Sequence, residues 1–321
     1  MQNTTSYNKR LNINELNNAA NLEDAIKNAE HLYISNLLGD EKLLSSINFY
    51  LKKYNKKLWL SLNKNTEMNQ ENLKQSRYLT NVKKLKIIVF NGFIEDLSEL
   101  SHINNLEEFT IYDNVKKGIS LAPLAKFKNL SFLSLYTGLT IKQYAVLNTF
   151  EKLEHLSVRE IDFSKLNNLP IKELNVDSKF IHSDLIAEKF PDIEYISLQN
   201  CKDVHIENIA SLPQLSDVRL RYMPHITRLT SFKNKENIFH LECVHLKNLE
   251  SIEALFELKQ LKYLMITDLE KLKAEDFYRL EELPNLKVAY ITFKSAKEND
   301  KFITFANAHN WIYKQPSLVG G

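Results

Sequence analysis

Glycine is scarce in this sequence, and the motifs of the common catalytic sites are missing. Only six of the 321 residues are glycine, and two of these stand at the very end. Phosphate-cradling loops need several glycines close together, so a nucleotide-binding loop is not expected. The chain also lacks the H-E-x-x-H, Walker A, C-x-x-C and G-x-S-x-G motifs. We therefore predict neither an enzyme nor a bound cofactor.

A strong net charge and a long hydrophobic run are also lacking. The 42 basic and 40 acidic side chains leave a formal charge of +2, so no overall field draws the chain to nucleic acid or to a membrane. No apolar run reaches about 18 residues, so a membrane-spanning helix is not predicted. Residues 1–18 lack the basic and then apolar segments of a secretory signal, so we expect a cytoplasmic protein.

What the sequence does contain is a repeated hydrophobic pattern, and it is clearest between Leu147 and Cys201. The full copy, with apolar residues three and then two apart, is Leu147, Phe150, Leu153, Leu156 and Val158. Further copies are Leu169, Ile171, Leu174 and Val176, and then Phe190, Ile193, Ile196, Leu198 and Cys201. Threefold spacing indicates a turn or short helix, and twofold spacing indicates a strand. Each repeat is thus predicted to end in a short strand that is buried by stacking on its neighbours.

The first inward residue of the predicted strand recurs through most of the chain. It is Leu32 in the first strand, either Leu58 or Leu60 in the second, and then Leu85, Phe109, Leu133, Leu156, Leu174, Ile196, Val218, Leu241, Leu264 and Ala289. Such regularity predicts about twelve parallel strands, one per repeat. We therefore expect an α/β solenoid of horseshoe form, with a concave parallel sheet and short helices or 3₁₀ turns on its convex side.

The position just after each strand is variable. Asparagine or cysteine stands there in some repeats, and large apolar residues in others: Asn63, Asn114 and Cys201 against Ile161, Met223, Leu246 and Leu269. An asparagine at this position normally hydrogen-bonds the backbone of the turn. The loops with apolar residues must therefore satisfy their amide groups in another way.

These repeats carry a resemblance. The pattern L-x-x-L-x-L-x-x-C resembles that of bacterial leucine-rich repeat proteins of the irregular type, with repeats of about 22 to 25 residues. The resemblance covers about residues 20–294, and the segment from Leu22 to Asn28 is similar to the helix that precedes the first strand in many such proteins. It implies a recognition scaffold whose usual partner is another protein.

The ends of the repeat array need caps, because terminal repeats would otherwise expose their apolar faces. We predict an N-terminal capping helix over about residues 14–30 with Asn21 as its N-cap, repeats over 31–294, and a C-terminal cap over 295–316. In the C-terminal cap, Asp300 is expected to serve as the N-cap of a helix from about Lys301 to His309. The side chains expected to seal the last repeat are Phe302, Phe305, Ala306, Trp311 and Tyr313. No linker is evident, so we predict one domain over residues 1–321 with a disordered tail at 317–321.

The two cysteines, Cys201 and Cys243, both fall on inward positions two repeats apart. Neighbouring strands lie about 4.8 Å apart, so roughly 10 Å separates this pair. A disulfide needs Cα atoms within about 7 Å of each other. We predict two buried, reduced thiols. His240 and His245 are the nearest approach to a metal-ligand pair, but no third ligand is evident, and we predict no metal site.

Outward strand residues form the predicted binding surface, because side chains alternate between the two faces of a strand. Across neighbouring strands they give the charge pairs Lys84–Glu108, His155–Glu173, Arg159–Asp177, Asp217–His240 and Arg219–Glu242. These pairs fit lateral ladders that stabilise the sheet. Arg221 stands out, because its in-register neighbours are Gln199 and Val244.

Outward aromatic residues form three groups: Tyr112, Phe132 and Tyr136; Tyr263, Met265 and Tyr290; and Tyr33 with Trp59. Aromatic residues suit strands in any case, but Tyr, Trp, Met and Arg are also the residues that anchor protein interfaces. The predicted partner-binding residues are Tyr112, Phe132, Tyr136, Arg159, Tyr195, Arg219, Arg221, Tyr263, Met265 and Tyr290.

We therefore predict a non-catalytic protein-binding module that is a monomer when free and acts through its concave sheet. A narrower hypothesis is a toxin-neutralising immunity protein that blocks the active site of an effector. A nucleic-acid-associated factor is disfavoured, because outward Lys and Arg are matched by outward Asp and Glu. Membrane binding is not expected either.

Overall fold

The computed structural model describes residues 22–35, 37 and 41–311, and its dominant feature is a parallel sheet. The twelve strands in this part of the chain are β1 (His31–Ser35), β2 (Lys57–Asn63), β3 (Lys84–Ile94), β4 (Glu108–Val115), β5 (Phe132–Gly138), β6 (His155–Asp162), β7 (Glu173–Ile181), β8 (Tyr195–Gln199), β9 (Asp217–Arg221), β10 (His240–Val244), β11 (Tyr263–Leu269) and β12 (Val288–Phe293). They follow one another across the sheet in chain order. The described pairings are all parallel. This is the architecture predicted for a leucine-rich repeat solenoid.

Short helices and 3₁₀ turns connect the strands, as the threefold spacing predicts. The α-helices are α1 (Leu22–Asn28), α2 (Glu41–Tyr54), α3 (Thr66–Lys74), α4 (Ile141–Leu147), α5 (Ile186–Lys189), α6 (Ile206–Ala210) and α7 (Ala296–Ala308). The 3₁₀ segments are Gln75–Tyr78, Ser98–His102, Ala122–Leu124, Phe163–Lys165, Ser183–Leu185, Glu253–Glu257 and Ala274–Glu282. Within the described part of the chain, none of the helices has the length and apolar character needed to cross a membrane.

The chain divides into two compact units, one ending at Val158 and the other beginning at Arg159, so that the boundary falls within β6. In both units the second and fourth residues of every strand are buried and form the core with the apolar residues of the turns. The single domain over residues 1–321 stays a prediction.

In the first unit, the register of the second strand is now defined. Leu58 pairs with Leu32 on one side and with Leu85 on the other, so the second repeat begins at Leu58 rather than Leu60. Leu58, Leu60 and Leu62 are all almost completely buried. The sequence was ambiguous because β2 carries three inward leucines at twofold spacing, and either neighbouring pair fits the pattern.

The described bounds of the two capping helices differ from the predicted ones: α1 ends at Asn28, and α7 begins at Ala296. Helix α1 buries Ile26, while residues 14–21, including Asn21, lie outside the described part. Helix α7 begins five residues before the predicted Lys301, and Asp300 lies inside it. The reason is that the Ser295 hydroxyl accepts a hydrogen bond from the Glu298 amide (3.4 Å) and serves as the N-cap.

The predicted packing of the C-terminal cap is observed for most of its residues. Phe302 and Ala306 are fully buried, and the Phe305 ring lies 5.5 Å from the ring of Trp311, which is itself 8% exposed. Tyr313 and the predicted tail lie outside the described residues.

The turns after the strands correct one prediction in the first unit. Asn63 is exposed, and the buried residue that ties the turn is Asn69. Its side-chain amide donates to the carbonyls of Lys64 (3.0 Å) and Asn91 (2.6 Å), and its oxygen accepts from the Lys64 amide (3.1 Å). The turn asparagine is displaced because β2 continues as far as Asn63 before the chain leaves the sheet.

Candidate functional site

The surface opposite the core is formed by the first, third and fifth residues of each strand, and we call it the open face. In the first unit, these positions in β1 to β5 hold His31, Tyr33 and Ser35; Lys57, Trp59 and Ser61; Lys84, Lys86 and Ile88; Glu108, Thr110 and Tyr112; and Phe132, Ser134 and Tyr136. They project here because alternate side chains of a strand lie on opposite faces of a sheet.

Three lysines and one glutamate define the charge of the open face in the first unit. The predicted Lys84–Glu108 pair is present at 2.9 Å, and Lys57 binds the same carboxylate at 3.1 Å. Burial by itself would raise the pKa of Glu108, but hydrogen bonds from Lys84 and Lys57 outweigh it and hold the pKa below its ordinary value. Glu108 is therefore an ionised carboxylate between two ammonium groups.

The aromatic residues of the first unit are held by stacking and by lysine. Lys86 Nζ lies 4.4 Å from the ring centre of Trp59 and 4.9 Å from that of Tyr112, and the Tyr112 and Tyr136 rings are 6.0 Å apart. Phe132 belongs to a separate cluster, because its ring stacks on His155 at 3.9 Å. Of the three residues predicted as one group, the structure brings Tyr112 and Tyr136 together, and Tyr136 is 43% exposed.

In the second unit, Asp217 is the centre of a charged cluster on the open face. The Arg219 guanidinium donates to both of its oxygens (3.1 Å each), and His240 Nδ1 lies 3.3 Å away, which confirms the predicted Asp217–His240 pair. Burial opposes ionisation, but the hydrogen bonds from His240 and Arg219 keep the pKa of Asp217 below its ordinary value. The Arg219 guanidinium also lies 5.0 Å above the ring of Tyr195, and burial raises the pKa of that tyrosine.

The second ion pair corrects a prediction. Arg219 is in register with Glu242, as expected, but it pairs with Asp217 on its own strand. Glu242 is bound instead by Arg221, from Nε to Oε1 at 2.6 Å and from Nη2 to Oε2 at 3.0 Å. The arginine side chain is long enough to reach diagonally across the sheet. Arg221 is therefore charge-paired, although both of its in-register neighbours are uncharged.

A cleft of about 460 Å³ opens beside this ion pair. It is lined by Gln199, Arg221, Tyr222, Glu242, Val244, His245, Met265, Thr267, Asp268, Tyr290 and Thr292. Three of the predicted binding residues, Arg221, Met265 and Tyr290, thus share one cavity, and Met265 is in register with Tyr290. Tyr263, on the same strand as Met265, is 44% exposed. Arg159 is exposed on β6 and is not among the lining residues.

Three of the cleft residues that were not predicted as binding residues stand at the ends of their strands. Tyr222, His245 and Asp268 each follow the fifth position of a strand and have positive φ angles of 55°, 54° and 62°. Asp113 and Asn200, which follow the fifth positions of β4 and β8, also have positive φ angles of 65° and 53°, so this backbone conformation recurs at this position of the repeat. In the sequence the three cleft residues are marked only by their place directly before the apolar turn residues Met223, Leu246 and Leu269, and not by a hydrophobic pattern of their own.

Side-chain contacts fix these three residues. The Tyr222 ring stacks on the His245 imidazole at 4.7 Å, and His245 Nδ1 lies 3.1 Å from Asp268 Oδ2. The His245 amide donates to the Thr267 hydroxyl (3.4 Å), and the Asp268 amide donates to the Thr292 hydroxyl. Threonine hydroxyls thus accept from two of the turn amides that have no asparagine partner, whereas the Tyr222 amide donates to the Val244 carbonyl (2.9 Å).

The two cysteines are buried and free, as predicted, and His240 and His245 contact separate carboxylates. Cys201 and Cys243 are buried and free, and burial raises the pKa of both thiols, that of Cys201 to about 11. His240 and His245 contact different carboxylates, Asp217 and Asp268. They therefore do not converge on a common point.

No protein-family model matches the chain, and no curated protein does. Among solved structures, it is similar to the leucine-rich repeat ectodomain of the plant membrane receptor kinase GASSHO1/SCHENGEN3 from Arabidopsis thaliana, determined in complex with CASPARIAN STRIP INTEGRITY FACTOR 2. The two chains are 18% identical, with a TM-score of 0.42. The match covers 87% of this chain but only 38% of the receptor chain. The fold described above is established by the observed strands and their pairing.

Proposed function

We propose that this chain is a non-catalytic protein-binding module that recognises a protein partner through the open face of its sheet. The observation that carries the proposal is the cleft of the second unit. Two tyrosines (Tyr222 and Tyr290), a methionine and a fixed arginine line this cleft, and these residue types supply most of the binding energy in protein interfaces. Tyr222 is 45% exposed, and Tyr263, which is on the strand of Met265 but is not a lining residue, is 44% exposed.

The arginines of this surface favour a protein over a nucleic acid. Arg219 and Arg221 each donate two hydrogen bonds to a carboxylate of the chain itself. The paired carboxylate offsets the charge of the guanidinium, so the arginine attracts a phosphate less strongly than an unpaired arginine would. The same pairs order both side chains before a partner arrives, which lowers the entropy lost on binding.

A narrower form of this proposal is a cytoplasmic immunity protein, monomeric when free, whose open face covers the active site of a toxin. It makes an additional prediction: the captured partner is an enzyme, and it loses activity when one equivalent of this chain is added. A binding scaffold leaves the activity of its partner unchanged.

The test compares capture from a lysate of the source cell by three versions of the chain. The wild type is set beside Tyr263→Ala/Met265→Ala, which truncates the open face, and Tyr278→Ala. Tyr278 is a matched control, because it is 39% exposed on the 3₁₀ segment Ala274–Glu282 rather than on the sheet.

We expect a protein that binds the wild type and the control but is lost from the open-face variant. Truncating an interface anchor costs 2 kcal/mol or more, so the Kd of that protein should rise by about thirtyfold or more. Melting temperatures of the three versions should agree within a few degrees. A partner that binds all three equally would move the interaction away from the open face.

A further inference from the structure

The open face of the first unit has an excess of positive charge. We infer that it binds an acidic segment of the partner protein, an inference that rests on the proposed protein-binding function but concerns a different group of residues. The structure describes all of the first, third and fifth residues of β1 to β5. The basic residues among them are Lys57, Lys84 and Lys86, and the one acidic residue is Glu108. The formal charge of these positions is +2, with His31 neutral.

This excess is local. The whole sequence has 42 basic against 40 acidic residues, so a +2 surplus on fifteen neighbouring positions equals the surplus of the entire chain. In the second unit, the arginines of β9 are each matched by a carboxylate. Asp113 lies close by, but it follows the fifth position of β4 at the turn, where its φ is 65°. A carboxylate-bearing segment is the ligand that this charge pattern complements.

The geometry of the lysines also suits carboxylates. Lys57 and Lys84 approach opposite oxygens of Glu108, Oε2 and Oε1, so one carboxylate is shared by two ammonium groups. An ammonium group has three donors, so each of these lysines can also bind a carboxylate from a partner. The ammonium group of Lys86 lies above the rings of Trp59 and Tyr112, and these contacts order the side chain on the open face.

The aromatic rings argue against a nucleic acid on this surface. Binding of single strands combines positive charge with bases stacked on exposed ring faces. Here Trp59 on β2 is covered by His31 on β1, at 3.9 Å between ring centres, and by Lys86 on β3. Phe132 is covered by His155 at 3.9 Å and approached by Lys57 at 5.5 Å. The ring faces of Trp59 and Phe132 are thus occupied by side chains of the protein itself.

The experiment measures fluorescence anisotropy of a labelled peptide made of Glu-Glu-Tyr units, titrated with the full chain. A Lys-Lys-Tyr peptide and a labelled poly-dT strand serve as alternative probes. We expect the acidic peptide to bind best, with an affinity that falls as salt is raised, because exposed charge pairs are screened. Tighter binding of poly-dT or of the basic peptide overturns the inference.

Three single variants localise the binding. Lys84→Gln should weaken it about two- to fivefold, the range of one partly exposed ion pair. Glu108→Gln should strengthen it by a similar factor, because it removes the competing carboxylate, and a folding defect does not produce a gain of affinity. Lys116→Gln is the matched control, since Lys116 is 58% exposed and pairs with Glu95 outside the open face. Equal losses in Lys84→Gln and Lys116→Gln, or a loss in Glu108→Gln, contradict the inference.

The outcome is separable from that of the proposed function. Loss of the cellular partner from the Tyr263→Ala/Met265→Ala variant tests the second unit, whereas the peptide titration tests the first. If the acidic peptide does not bind while the cellular partner is still captured and still lost from that variant, the acidic-segment inference alone is wrong.

Discussion

The ion pair between Arg221 and Glu242 should stabilise the second unit mainly by protecting the carboxylate. The Glu242 side chain is 7% exposed, whereas that of Arg221 is 25% exposed. Both carboxylate oxygens accept hydrogen bonds from the guanidinium, at 2.6 and 3.0 Å. Removing the arginine therefore leaves a buried, uncompensated charge, while removing the carboxylate leaves a cation with access to water.

Because the two side chains differ in exposure, the two single variants of a double-mutant cycle should lower the free energy of unfolding by different amounts. Arg221→Met should lower the free energy of unfolding by about 3 kcal/mol, towards the cost of breaking a buried pair. Glu242→Gln should cost about 1 kcal/mol, because the amide oxygen still accepts one hydrogen bond. The double variant should cost about 2 kcal/mol rather than the roughly 4 kcal/mol expected without coupling, because it contains no orphaned charge.

Urea unfolding of all four proteins, followed by circular dichroism and by tryptophan fluorescence, gives the cycle. Coincident transitions by the two probes are required, because repeat arrays do not always unfold in a single step. The reasoning is refuted if the two single variants cost the same, or if the double variant equals their sum.

Three further predictions concern the core and the titrating groups. Leu156→Asp places a charge at a fully buried position and should cost several kcal/mol, seen as a large fall in the melting temperature; an unchanged melt would contradict the repeat register. The pKa of Asp217 is lowered by His240 and Arg219, so its stabilising contribution is present above about pH 4 and is lost as the pH falls through its folded-state value. Asp217→Asn should therefore flatten the acid limb of the melting temperature against pH relative to the wild type, and identical slopes would contradict this. Thiol counting after denaturation should find both Cys201 and Cys243 free, with the same melt with and without reductant; a count of zero would contradict the strand order.

Much of the fold was predictable because the spacing of the inward apolar residues along the sequence determines how neighbouring strands pair. The inward residues of neighbouring strands pair as their spacing predicts, for example Leu241 with Val218 and with Leu264. Prediction was ambiguous or wrong where a local feature departs from the repeat. Strand β2 has three inward leucines instead of two. The N-cap of α7 was predicted at Asp300 because that residue just precedes the apolar residues of the helix, but the N-cap is Ser295, more than one turn upstream.

The candidate site was predictable in its backbone but not in its side-chain pairing. Register alone placed Arg219 opposite Glu242, and that register is observed. The ion pairs differ because the arginine side chain is long. It can reach a carboxylate on its own strand, one directly opposite on the next strand, or one placed diagonally across the sheet. The turn residues Tyr222 and His245 were missed for another reason: a positive φ at a large residue leaves no periodic hydrophobic signal.

The burial of the two thiols has a practical consequence for labelling. With a pKa of about 11, the Cys201 thiol is ionised in roughly one molecule in a few thousand at pH 7.5, and Cys243, which is fully buried, is still less reactive. Maleimide reagents attack the thiolate and need access to it. A cysteine introduced at Ile141, which is 77% exposed at the start of α4, should therefore take up a fluorophore selectively while both native cysteines are retained. The native chain can thus be converted into a singly labelled sensor for partner capture.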